Sequence, residues 1–563
     1  MRYLAVVAAL LFAPSARADG VDDAIHAEMG KRQIHGLSIA IVDHGKIVRA
    51  TGYGSIEVGG AAITAETLFQ AGSISKSVSA LAALHFVDKG KLGLDDDVDA
   101  KLVGWHLPKS ILTDIRKVTL RRILSHTAGL TVHGFPGYAV DAPKPTLVQV
   151  LDGVKPANTP PIRVDVLPGV LWRYSGGGYT IMQKLLTDVV GVPFPKLMQD
   201  TVLGPAGMTH STYAQPLPAD KAKLTATGYY DPRTKVPGRW HVYPEMAAAG
   251  LWTTPSDLVQ FGLELGKAYA GTSSIISGAT GKRMMSVERD GDGLGVFIEG
   301  EGRTLHVGHN GRDEGFDAFF VFYPETGQGV AIMINANDNS RAIPRIVDAV
   351  EVAYDWPDKP APKPASVAVD RATLDKLAGS YEFTNNNVMH LDVADGKLTR
   401  FSDGMPDADL VPLAPDRFQD GNVEIRFVTV DGKVTSLQWT QQGKTHSSPR
   451  IAPPLHTLAG RADPDAAFTT KVTAALKAIG ASHKDAPELA AFTKRSLADF
   501  GGGYPPLAKL RGLTYVDGWP LAIERHDGKV ARVVVYKWDP GPGFIVVYVT
   551  ADNAITDFDT FAD

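Results

Sequence analysis

At 563 residues the chain exceeds what one hydrophobic core can organise, and length alone predicts about three or four domains. Its 44% hydrophobic and 21% charged residues argue against wholesale disorder. A net charge of -5 without a Lys/Arg run argues against nucleic acid or an anionic membrane surface as the main partner and leaves a small molecule or a neutral polymer. The absence of cysteine removes disulfides, thiolate metal sites and cysteine nucleophiles together.

Met1-Arg2-Tyr3, an apolar run to Phe12 and then Ala16-Arg17-Ala18-Asp19 read as a basic start, a short hydrophobic core and a small-residue cleavage site. Residues 1–18 are therefore expected to be a signal peptide cut after Ala18, with a secreted or periplasmic mature protein. The run is too short to span a bilayer, no later stretch is long and apolar enough, and no cysteine follows the cut to carry a lipid. A helical pattern from Val21 to Lys31 leads into two β-branched runs, Gly36–Val42 and Lys46–Ala50, whose Asp43-His44-Gly45 junction predicts a hairpin.

Phe69-Gln70-Ala71-Gly72-Ser73-Ile74-Ser75-Lys76 then opens a helix running to Lys89, with Val78, Leu81, Leu84 and Val87 near one face. Lys76 returns to the side of the helix that carries Ser73, which sets an amine beside a hydroxyl. Serine needs a neighbour to take its proton, and lysine can do so only where burial or a nearby cation lowers its pKa. The unpaired N–H groups of the helix start can face a developing oxyanion. A Ser-x-x-Lys string alone is common on exposed helices, so its weight rests on distant residues.

Asp95-Asp96-Asp97 with Asp99, and Asp290-Gly291-Asp292-Gly293, lack the spacing of a calcium loop and read as solvated turns. Arg121 to Leu130 reads as a helix ending at Gly129, with His126 filling core or capping carbonyls. Tyr174-Ser175-Gly176-Gly177-Gly178 precedes an apolar helix, Thr180 to Val190. Without a following Lys-Ser/Thr these glycines indicate close backbone approach and not a phosphate loop. Thr254 or Ser256 with Pro255 marks another helix start. His309-Asn310-Gly311-Arg312 precedes two dense strands, Ala318–Tyr323 and Gly329–Asn335.

Four prolines between Pro357 and Pro364 mark a stiff linker. From Leu374 to Ile451 short β-rich runs alternate with turns at Asp395-Gly396 and Asp431-Gly432, the pattern of a small barrel. Helical patterns from Asp463 to Phe500 and strands from Leu507 to Phe561, with a turn at Asp527-Gly528, predict an α+β unit.

Ser73-x-x-Lys76, Tyr174-Ser175-Gly176 and His309-Asn310-Gly311 stand in an order and spacing that resemble the serine β-lactamase and penicillin-binding-protein superfamily. The relevant branch holds class C β-lactamases, D-alanyl-D-alanine carboxypeptidases, D-aminopeptidases and family VIII esterases. The likeness covers about Val21 to Tyr354 and includes Thr67-Leu68-Phe69, Leu124 to Leu130, Pro205-Ala206-Gly207-Met208 and Gly250 to Leu258. It implies a multidomain chain. A β-lactamase-like α/β (α+β) catalytic domain with an antiparallel sheet and a helical subdomain is expected over 19–356, followed by the linker at 357–372. Residues 373–455 are similar to lipocalin-like β-barrels appended in this superfamily, and 456–563 to cystatin-like or nuclear-transport-factor-2-like α+β modules.

Position by position, the resemblance implies that Ser73 attacks a carbonyl while Lys76 and Tyr174 share the proton transfers, which of them is the base being left open. It implies an oxyanion hole from the backbone N–H groups of Ser73 and Arg312. Asn310 and Gly311 complete the third motif, in which His309 replaces the lysine that grips a substrate carboxylate; histidine is expected to be charged only in part near neutral pH. Gly176 replaces the asparagine whose amide binds an acylamino side chain. The implied activity is hydrolysis through an acyl-serine of an ester or amide, as an esterase, D-amino-acid peptidase or β-lactam hydrolase, on a small-molecule or peptidoglycan-derived substrate. The alternative is a penicillin-binding or sensor protein that acylates with little turnover. No metal or cofactor is expected, and the oligomeric state is open.

Overall fold

The computed structural model describes residues 15–562 apart from 339–340, 358, 360–365, 384–386, 395, 403–404, 422, 442–443, 453–458, 482–485, 494–506, 508–509, 526–527 and 540–542. The chain divides into two compact units, Met1–Lys359 and Pro360–Asp563. The apolar run expected to be a signal segment lies outside the described residues. No helix among the described residues is long and apolar enough to cross a membrane.

The first unit is built on a six-stranded antiparallel sheet of β1 (Gly36–Asp43), β2 (Lys46–Gly54), β3 (Phe297–Glu299), β4 (His306–Asp313), β5 (Phe316–Tyr323) and β6 (Gln328–Ile334), in the order β2-β1-β6-β5-β4-β3. The β1–β2 hairpin turns through His44 and Gly45, both at positive φ, as a two-residue turn of the primed type requires. β1 pairs with β6 across most of the first unit's length, Ile39 opposite Ile332, so the sheet joins strands from the two ends of that unit. Alternation along the central strands gives the sheet two apolar faces. Leu37, Ile39, Ile41, Val330, Ile332 and Ile334 pack under the helices Ser15–Arg32 and Ala342–Ala353. Ala40, Val42, Phe320, Phe322, Ala331 and Met333 join the helical layer that includes Pro255–Ala270, a helix capped by Thr254 and started by Pro255.

The helix Ile74–Asp88 is buried on every side, whereas the sequence pattern places its apolar residues near one face. Ser75, Ser77, Ser79, Ala80, Ala82 and Ala83 are small enough to admit neighbours on the flanks that periodicity assigns to solvent. The helix that starts at Leu120 stops at Leu124 and not at Gly129, because Ser125 caps it and His126 turns left-handed at φ 54°. Ser175 accepts from Gly178 N–H and so begins the next long helix, Gly176–Val190, four residues earlier than its apolar pattern does.

In the second unit nine antiparallel strands form a nearly closed, barrel-like sheet between Gly379 and Ala452. Its first strand pairs with its last, Tyr381 opposite Arg450, and its two edge strands, Met405–Asp409 and Val411–Ala414, are joined by Leu410 alone. Asp431 and Gly432 make the expected tight turn, both at positive φ. Among the described residues of the stretch expected to be helical, Ala466–Gly480 is one helix and Pro487–Ala491 a single short turn of helix, while 482–485 and 494–500 lie outside the described residues. Val472, Leu476 and Ile479 of that helix pack on Tyr536, Ile545 and Val547 of a four-stranded sheet running from Gly512 to Ala562. The sheet's other face carries Val533, Val535 and Val546 and meets Val388 of the barrel.

In the first unit β4 lies against the turn before the Ile74–Asp88 helix, and two glycines make this approach possible. A Cβ on Gly72, which sits at φ +50°, would fall 2.3 Å from the backbone nitrogen of Arg312. One on Gly311 would fall 1.9 Å from the carbonyl oxygen of Ala71. Gly311→Ala is expected to force β4 away from this turn, lowering stability by about 1–3 kcal/mol in urea unfolding of the full chain and reducing turnover with it; an unchanged midpoint would count against the contact.

Candidate active site

Ser73 occupies the cap position of the Ile74–Asp88 helix, yet its hydroxyl makes no capping hydrogen bond, which leaves Oγ available. Lys76 Nζ lies 2.9 Å from Ser73 Oγ and 2.9 Å from the carbonyl oxygen of Ala248. That carbonyl belongs to the short helix Met246–Ala249, whose Ala247 N–H is held by Gln183. The lysine is 2% exposed, and burial pulls its amine down to about 7 against an opposing pull from Asp313.

Tyr174 reaches the same point from the segment before Ser175, with the Lys76 amine 4.9 Å from its ring centroid. Burial pushes its phenol well above the ordinary range, the neighbouring Ser73 hydroxyl opposes this, and Asp292 reinforces it. His133 lies against the ring at 4.8 Å and His126 at 4.2 Å between centroids. Phe297 of β3 stacks more distantly on it at 6.5 Å.

His309 is 6% exposed and packs on Phe297 at 4.7 Å. Its Nδ1–H donates to the Asn310 carbonyl oxygen at 2.5 Å, which fixes the tautomer and leaves Nε2 as an acceptor. Burial first, and the Lys76 charge second, hold its pKa down at about 3 despite that carbonyl. Burial and the neighbouring amine thus favour a neutral imidazole over the partly charged one expected from the sequence. Arg312 does not supply the missing cation, because its guanidinium is committed to the fully buried Asp317 through Nε at 2.7 Å. Its backbone nitrogen lies on the strand that Gly72 and Gly311 admit beside the Ser73 turn.

Gly176 has a local cause. A Cβ there would meet the His133 carbonyl oxygen and the Phe135 ring, each at 3.0 Å, so the segment 133–135 fills the space a second-motif side chain would need. A Cβ on Gly177 would fall closer still, 2.6 Å from the Thr131 carbonyl oxygen, and Ser175 Oγ donates to that carbonyl at 2.8 Å. These contacts agree with the close backbone approach read from the three glycines.

Two acids at the site escape sequence reasoning. Asp292 is 2% exposed and accepts from Trp172 Nε1 at 2.8 Å, with burial raising its carboxyl to about 7. It is no solvated turn residue, a correction that only the fold of 284–298 over Trp172 could reveal. Asp313 is 3% exposed, and burial holds its carboxyl well above the usual range. Neither of its oxygens reaches hydrogen-bond geometry, although the Lys76 charge, Gly72 N–H and the Tyr243 hydroxyl oppose the effect of burial. Its alternation with Gly311 on β4 is the one signal that could have flagged it. The Asp95–Asp99 run does form a turn, with Asp95 paired to Arg121 and Asp97 capping Val98–Lys101. Among the described residues no group of His, Cys, Asp and Glu is placed to hold a metal ion.

A serine at a helix start, an amine within hydrogen-bond reach and a backbone strand alongside define a serine hydrolase. The chain belongs to the beta-lactamase family, whose model matches residues 21–353. It is 26% identical over 355 residues to a beta-lactamase of Pseudomonas fluorescens, which covers 56% of this chain and 93% of that one. It is 23% identical over 412 residues to a penicillin-binding protein of Bacillus subtilis (strain 168), covering 68% of this chain and 88% of that one. Among solved structures, the octameric penicillin-binding protein homologue from Pyrococcus abyssi shares the fold with a TM-score of 0.53 at 21% identity, covering 77% of this chain and 99% of that one.

A neutral imidazole at position 309 gives a carboxylate nothing to pair with. His309→Lys is expected to lower KM for carboxylate-bearing esters relative to their methyl-ester counterparts; unchanged carboxylate selectivity in paired kinetics would count against this role for position 309.

Proposed function

We propose that the protein is an exported hydrolase that cleaves esters or amides through an acyl-serine at Ser73, with preference for substrates carrying no carboxylate near the scissile bond. The single observation that carries the reading is the Lys76 amine, buried and 2.9 Å from Ser73 Oγ. With its pKa near 7 about half of it is neutral at pH 7, whereas the Tyr174 phenol stays protonated. This favours Lys76 as the base: its lone pair takes the Ser73 proton as Oγ attacks the carbonyl carbon. The oxyanion is stabilised by the N–H groups of Ser73 and Arg312, each such donor being worth about 3–4 kcal/mol in rate. Tyr174 then passes a proton to the leaving group and is restored from the Lys76 ammonium, and water attacks the acyl-serine in the second half of the cycle. The basic start and apolar run before Ala18 support export.

The neutral His309, its Phe297 neighbour and the glycine at 176 support an uncharged, weakly specified acyl pocket, closer to ester than to β-lactam or carboxypeptidase chemistry. On p-nitrophenyl esters, nitrocefin and D-alanyl p-nitroanilides, wild type is expected to turn over the esters fastest and Ser73→Ala to lose at least about 10³-fold. Ester turnover surviving Ser73→Ala would remove the mechanism. A stable adduct with a fluorescent penicillin and no turnover of any substrate would favour the sensor instead.

The base must be the unprotonated amine, which is depleted below its pKa and dominant above it. kcat/KM for a p-nitrophenyl ester, corrected for spontaneous hydrolysis, is therefore expected to rise with pH through about 7. The same acid limb should persist in Asp292→Asn, which removes the other group near Tyr174 that titrates at about 7. A profile flat from pH 6 to 8 would count against Lys76 as the base.

A further inference from the structure

His126 is not a member of the three motifs, and its sequence context suggests only a cap or core residue. In the fold it is tied to the chain on both sides of Tyr174. Arg173 N–H donates to the His126 carbonyl oxygen at 2.7 Å, and Ser175 N–H donates to His126 Nδ1 at 3.1 Å. The imidazole also lies against the Tyr174 ring at 4.2 Å and 33°. One residue thus grips the residue before Tyr174, the residue after it and the ring itself. The backbone of His126 is left-handed, at φ 54°, a conformation sparsely populated by residues with a side chain and best tolerated by Asn, Asp and His among them. The residue is 3% exposed, and because Nδ1 accepts, the imidazole is neutral with its proton on Nε2. Burial, with the Lys76 charge second, holds its pKa well below the ordinary value, so this acceptor persists across the working range of pH.

We propose that His126 is the positioning residue for Tyr174, fixing the phenol against Ser73 by holding both flanking peptides and the face of the ring. The inference rests on the proton-transfer role given to Tyr174 above. A tyrosine that must exchange a proton cannot be anchored through its own hydroxyl, so its placement has to come from the backbone and the ring. Displacements of about 1 Å in such groups cost on the order of 10²-fold in rate.

The test is a double-mutant cycle on the full chain, read as kcat and KM for a p-nitrophenyl ester with folding followed by circular dichroism. His126→Phe keeps a ring but loses the acceptor, and is expected to lower kcat about 10- to 100-fold with KM within about twofold. His126→Asn, whose amide oxygen can take the place of Nδ1 and which tolerates the left-handed backbone, should recover most of that loss. In a Tyr174→Phe background His126→Phe should cost nothing further, because its effect passes through the phenol. If His126→Phe does not fold, His126→Gln replaces it in the cycle, its amide lying one methylene beyond reach of Ser175 N–H. An equal, additive loss in the Tyr174→Phe background, or an undiminished kcat in His126→Phe with Tyr174→Phe impaired, would overturn the inference alone. A fully active Tyr174→Phe would remove the role of Tyr174 and the inference with it.

Discussion

An amine with almost no access to water is the constraint on which the rest of the first unit depends. Lys76 is 2% exposed in a helix that is itself surrounded, with its charge directed at Ser73, the Ala248 carbonyl and the faces of Tyr174 and Tyr179. An ordinary lysine leaves about one amine in a few thousand neutral at pH 7, too few to serve as a base. Burial moves that balance to near parity. Asp313 pulls the other way, and the result near 7 is the net of a large desolvation effect and a smaller Coulombic one. Exposure of the helix start to water would restore the ammonium without moving a single catalytic atom.

The same constraint explains why the surroundings carry so little charge. His309 and His126 are buried beside a potential ammonium and are both held neutral, chiefly by desolvation and secondarily by Lys76. Asp292 and Asp313 are raised by burial toward their neutral forms. The wall around Ser73 is then aromatic and dipolar, made of Tyr174, His133, Phe297 and His309. Hydrogen bonds from backbone carbonyls and N–H groups do the orienting: Asn310 for His309, Ser175 for His126 and Ala248 for Lys76. In a site of low dielectric such dipoles act strongly and need no solvent reorganisation. All of these groups belong to the first unit, while the barrel-like sheet and the four-stranded sheet of the second build apolar cores of their own.

Much of the fold was legible where its cause is local. The primed turns at His44-Gly45 and Asp431-Gly432, the Thr254-Pro255 helix start and the β5 and β6 strands follow from what those residues do to their own backbone. Helix limits were less legible, because they turn on single caps and backbone angles that the apolar period does not report: Ser175 takes up Gly178 N–H, and His126 breaks a helix whose apolar pattern continues. The glycines of the second motif were correctly read as close approach, yet only the structure names Thr131, His133 and Phe135 as what they approach. Asp292 was misread because its burial depends on Trp172, 120 residues away, and no spacing rule links the two.

Ser73 and Lys76 were determined by the sequence itself. A separation of three residues on one helix returns the amine to the hydroxyl whatever surrounds it, because helical geometry is set by the backbone. Tertiary structure alone decided the surroundings of these groups: it buries Lys76 and His309, which pulls both pKa values down, and it sets His126 against the Tyr174 ring and the Ser175 N–H. Protonation follows desolvation, and desolvation is the work of residues brought together from across the chain, which no single stretch of sequence contains.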